Sequence, residues 1–249
     1  MLVACCIACS VLLGACLQRI SGMGLGLVAG PVLSLLMGGV DGIVMMNILA
    51  VINASIIALT VWRDIDWKRW VLLGPIMVVG SIPGALLVRS VSPAWVQVIV
   101  GALITVSLIA TVVRGAKLRP VEGTGAALCA GAVGGFMNTV AGIAAPAMTI
   151  YAQANRWEQH SFRATMQPVF VIGGLISLTN KWLSGSVQLH TSWWLIAVAI
   201  GAMLVGIAAG VLIAPRVSKS HSRALALVLA VVGATTVLIK GIISVSTGA

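Results

Sequence analysis

The sequence predicts an all-α polytopic membrane protein built from two homologous halves, residues 1–115 and 116–249. Three observations predict it. Hydrophobic residues make up 60% of the chain, charged ones only 8%, and mean hydropathy is +1.13. Apolar runs long enough to cross a hydrocarbon core of about 30 Å recur along the whole length. A break rich in small residues and ending in proline occurs twice, at Ser21–Pro31 and at Gly134–Pro146.

The first apolar run, from Leu2, is interrupted by Gln18-Arg19 and resumes at Ile20 to Met37 through the first break. Four glycines and a proline there remove side chains and a backbone donor that an α-helix needs. Freed N–H and C=O groups cost several kcal/mol each in hydrocarbon, so such a break is expected beside protein or water. Ile43 to Val61 reads as a span, and three tryptophans interleaved with three cations at 62–70 read as an interface. Val71 to Val88 and Trp95 to Val113 are the next spans. In the second half, Gly125 to Tyr151 holds the second break. Phe162–Trp182, Trp193–Ala214 and Ala224–Ile243 follow as spans. All eight tryptophans fall at predicted span ends.

Charge selects between two topologies. With eight straight crossings in two parallel copies, the cations divide between both faces. With each broken run as a re-entrant hairpin, Arg63, Lys68, Arg69, Arg114, Lys117, Arg119, Arg156, Arg163, Arg216, Lys219 and Arg223 share one face. Only Arg19, Arg89, Lys181 and Lys240 then lie elsewhere. The positive-inside rule favours the second arrangement and makes that face cytoplasmic. Each half then has three crossings besides its hairpin, and the odd number inverts the second copy.

The net charge of +10 sits in short loops, where it sets topology and meets anionic lipid, so nucleic acid is not expected as a partner. The five carboxylates, Asp41, Asp64, Asp66, Glu122 and Glu158, all map to loops or interfaces. Cation-driven carriers usually keep an acid within the membrane. The interior offers instead helix N-termini, freed N–H groups, amides and hydroxyls, which suit an anion. The expected substrate-binding residues are Ser21, Gly22, Gly24, Asn47, Asn138, Thr139, Arg163, Thr165 and Gln167. Other readings stand beside these. Glycine-rich breaks also serve close helix packing, and Asn47 or Asn53 also bonds helix to helix. Arg163 also anchors lipid headgroups, and Arg19 also snorkels. No catalytic residue and no metal site is expected, since His160, His190 and His221 are scattered without ligand spacing. The five cysteines read as small hydrophobes, and no cofactor is called for.

At these residues the chain resembles the sulfite exporter TauE/SafE family, also called the toluene sulfonate uptake permease family. The resemblance rests on Ser21–Pro31, its repeat at Asn138–Pro146, and the polar starts of the following spans at Asn47 and Thr165. Asn138-Thr139-Val140-Ala141 departs from the glycine-rich pattern. The resemblance implies carriage of sulfur-containing anions such as sulfite or sulfonates across the inner membrane. The expectation is therefore a multi-pass secondary transporter of the cytoplasmic membrane working by alternating access. Its partners are a small anionic substrate, the lipid bilayer and possible further copies of itself. An anion channel and a carrier of non-sulfur carboxylates are the alternatives.

Overall fold

The computed structural model describes residues 1–114, 123–185 and 192–247. The helices are α1 (Leu2–Ser21), α2 (Leu25–Met37), α3 (Gly39–Thr60), α4 (Trp67–Leu73), α5 (Met77–Ser90) and α6 (Pro93–Arg114). They continue as α7 (Thr124–Ala141), α8 (Ala145–Ala154), α9 (Gln159–Leu183), α10 (Trp193–Ile213) and α11 (Lys219–Thr247). No strand occurs among the described residues, and seven helical stretches there are long and apolar enough to span a membrane. Lys117, Arg119, Glu122 and His190 lie outside the described residues.

Both broken runs are helical hairpins. The α1 helix ends at Gly22, whose left-handed φ of 85° lets its N–H return to the Gln18 carbonyl. A second left-handed glycine, Gly142 with φ 71°, closes α7 on the Asn138 carbonyl in the same way. Only glycine takes this conformation freely, which is why both helices stop there. The chain then doubles back: Leu25 of α2 returns beside Gly14, and Met148 of α8 beside Gly134. The limbs are 20 and 13 residues in the first hairpin, 18 and 10 in the second. The long limb of each can cross a membrane; the short one falls below the usual span.

The prolines do not mark the breaks. Pro31 lies inside α2, while Pro146 occupies the first turn of α8, where its missing N–H costs nothing. The equivalent positions of the two hairpins are instead Gly22 and Gly142, which stand 120 residues apart.

Helix directions follow from close approaches. Val51 and Asn47 of α3 meet Gly174 and Ser177 of α9, so these two run antiparallel. So do α6 and α11, since Gly101 meets Leu238 while Gly241 meets Val98. By contrast α10 runs parallel to α1, with Gly206 on Leu12 and Gly210 on Cys16. The same holds for α5 and α7, with Gly135 on Met77 and Gly84 on Thr139. Bare glycines let these backbones touch, as small residues do in membrane interfaces.

One end of the bundle collects the cationic connections. Asp66 N–H donates to Thr165 Oγ1 at 2.9 Å, His160 reaches Asp64 at 3.1 Å, and Arg19 donates to Thr60 at 2.8 Å. Arg19, Val61, His160, Arg163 and Ala214 surround one cleft there. The α1 N-terminus and the C-terminal end of α11 lie at the other end. Asp66 and Glu158 cap α4 and α9 at the cationic end, and Asp41 sits in the first turn of α3.

Candidate anion site

The two hairpins meet in the interior. The first turn of α2 lies against the turn between α7 and α8, and a Cβ on Gly26 would lie 3.3 Å from the Gly142 carbonyl. Between them is a cavity of about 30 Å³ whose lining includes Gln18, Gly24, Gly26, Asn138, Ala144 and Ala145. It has room for about one or two waters. No carboxylate lines it. Both helix N-termini present N–H groups without intrahelical partners, each end carrying about half a positive charge.

Four amides frame this cavity in two matched pairs. Gln18 donates to Gln167 Oε1 at 3.3 Å, and Asn138 donates to Asn47 Oδ1 at 3.0 Å. Gln18 and Asn138 are 120 positions apart, and so are Asn47 and Gln167. Each bond therefore joins the first hairpin to the second half, or the second hairpin to the first half. Beyond this, Gln18 Oε1 accepts the N–H of Leu25 at 3.2 Å, so a side-chain oxygen already sits on the first donor of α2. Gln167 also donates to the Gly22 carbonyl at 3.3 Å, and Asn47 to Ser177 at 3.1 Å.

A second, larger cavity of about 190 Å³ opens toward the cationic end, lined by Ser21, Thr149, Arg156, Trp157 and Arg163. Met23 lines both cavities, with its sulfur 3.8 Å from Thr149 Oγ1. Arg156 holds a φ of 50°, unusual for a residue with a Cβ. Arg69 stacks 4.4 Å over the Trp157 ring. Two arginines at this mouth give it a positive potential, the sign that attracts anions.

The expected residues divide accordingly. Gly24 and Asn138 line the inner cavity; Gln167 and Asn47 stand directly behind it. Ser21 and Arg163 line the outer one, and Gly22 lies against the Arg163 side chain. Thr165 lies elsewhere, clamping the 62–66 turn through Asp66. Thr139 also faces away: its hydroxyl is 2.6 Å from Ser81, in the seam between α7 and α5. Gln18 is the contributor that sequence reasoning took for a mere interruption. Its equivalence to Asn138 was available once the glycines, not the prolines, were aligned.

The family model "Sulfite exporter TauE/SafE" matches residues 6–236. The chain belongs to that family. It is a family of membrane transporters, and the polytopic helical architecture accords with it. Comparison with curated proteins and with solved structures gives no match.

Proposed function

We propose that this TauE/SafE member is a secondary transporter of small sulfur-containing anions, sulfite or a sulfonate, across the cytoplasmic membrane. The observation that carries the reading is the inner cavity: two opposed helix N-termini, four amides and no carboxylate. An oxyanion entering it would take the Leu25 N–H that Gln18 Oε1 now occupies, and would draw on the amide donors of Gln18 and Asn138. Hydrogen bonds to a charged ligand are worth about 1.5–3 kcal/mol each, enough to repay dehydration when several converge.

The halves 1–115 and 116–249 act as inverted repeats in this reading, supported by the antiparallel pairing of α3 with α9 and of α6 with α11. Glycine seams tie α1 to α10 and α7 to α5, so each hairpin moves with its partner helix. Rocking of these two units would open the inner cavity to one face at a time, giving alternating access.

Purified protein in liposomes tests the proposal. Saturable uptake of labelled sulfite that shows counterflow supports a carrier. A current that rises linearly with concentration makes the protein a channel, and uptake of carboxylates in preference to sulfite moves the substrate class.

A further inference from the structure

One face of α9 runs past both cavities and on toward the end that carries the chain termini. Arg163, Gln167, Phe170, Gly174, Ser177 and Lys181 recur at alternating steps of four and three, which keeps them on one stripe of the helix. Arg163 lines the outer cavity, Gln167 bonds to Gln18, and Phe170 lines the inner cavity. Gly174 and Ser177 contact Asn47, the partner of Asn138. Lys181 is the next residue of the stripe. It stands five turns, about 27 Å, from Arg163 and on the other side of the inner cavity.

Lys181 is 0% exposed, and its Nζ has no hydrogen-bond partner among the described residues. An ammonium group within a membrane span is expensive and marks an ion path by default. No described carboxylate hydrogen-bonds to it. Asp64, Asp66 and Glu158 lie at the cationic end, and Asp41 is engaged in an interaction of its own. An anion arriving along the stripe would find this ammonium unpaired.

We propose that Lys181 is a second anion station, receiving the sulfur oxyanion as it passes between the inner cavity and the face that carries the chain termini. This rests on the transport reading above and deepens it. Arg163 and Lys181 would then flank the inner cavity, one on each side of it. Ser177, one turn before Lys181 and bonded to Asn47, links the two stations through polar groups.

The test uses right-side-out and inside-out vesicles carrying the full-length protein and labelled sulfite. Lys181→Met keeps length and apolar volume, and Lys181→Gln keeps polarity without charge. Either is expected to raise the half-saturating sulfite concentration about 10-fold or more at the terminus-bearing face. The loop-bearing face should stay near the wild-type value, and Lys181→Arg should restore the other. Gel filtration and thermal midpoints confirm that the variants fold. Wild-type half-saturation on both faces in Lys181→Met and Lys181→Gln overturns this inference alone. Wild-type protein that moves no sulfite overturns the transport reading and takes this one with it.

Discussion

Gln18 Oε1 lies 3.2 Å from the N–H of Leu25, so the first donor of α2 is held by a neutral oxygen from the preceding helix. In that place a ligand oxyanion would make a charge-assisted bond instead. Gln18→Glu tethers a carboxylate at this position. At an anion site it should fold, occupy the donors and abolish sulfite transport, with a thermal midpoint at or above wild type. If the site does not welcome negative charge, the same variant buries an unpaired carboxylate and loses several kcal/mol. Thermal unfolding in detergent, read beside transport, distinguishes the outcomes.

Asn138 and Thr139 are neighbours in sequence with different surroundings, the inner cavity for one and the α5–α7 seam for the other. Asn138→Ala removes a donor from the inner cavity and should weaken apparent sulfite affinity about 10- to 150-fold. Thr139→Ala loses a hydroxyl contact with Ser81 between α7 and α5. Its cost should be about 0.6 kcal/mol of stability, with affinity unchanged. Equal effects of both substitutions on half-saturation would mean that the cavity is not the binding site.

Hydropathy and charge were sufficient for the spans and for the hairpins, because burial in lipid acts on composition and loop cations act on topology. The register between the halves was harder to read. Pro31 and Pro146 attract the eye, yet one sits within α2 and the other in the first turn of α8. The turn itself needs a left-handed residue, which Gly22 and Gly142 supply. With that register, Gln18 falls opposite Asn138, and Asn47 opposite Gln167. Which way a side chain faces was not legible for Thr139 or Thr165. Both are small and polar near a break, and only packing against Ser81 and Asp66 assigns them to seams.

Gly80 tests the packing role of glycine separately from the site. A Cβ there would run into the Ala132 carbonyl, whereas one on Gly201 would meet nothing within 4 Å. Gly80→Ala should therefore push α5 from α7 and lower stability by about 1–3 kcal/mol. Gly201→Ala should be neutral or slightly stabilising, since it gains helix propensity of about 0.8–1 kcal/mol. Thermal midpoints of the two variants check the contrast; equal midpoints would show that the α5–α7 seam does not depend on glycine.

The hairpins put the connections after α3, α8 and α10 at one end of the bundle, and the connection between α5 and α6 at the other. Arg63, Arg156 and Arg216 are exposed at the first end, and Ser92 at the second. Cysteines placed singly at these four positions, in a background with the five native ones replaced, report the arrangement through an impermeant thiol reagent applied to whole cells. Positions 63, 156 and 216 should label only after the membrane is opened, and 92 before it, if the cationic end faces the cytoplasm as the positive-inside rule predicts. Position 156 decides between topologies. Had the second broken run crossed the membrane outright instead of returning through α8, 156 would lie on the face opposite to 63 and label with 92.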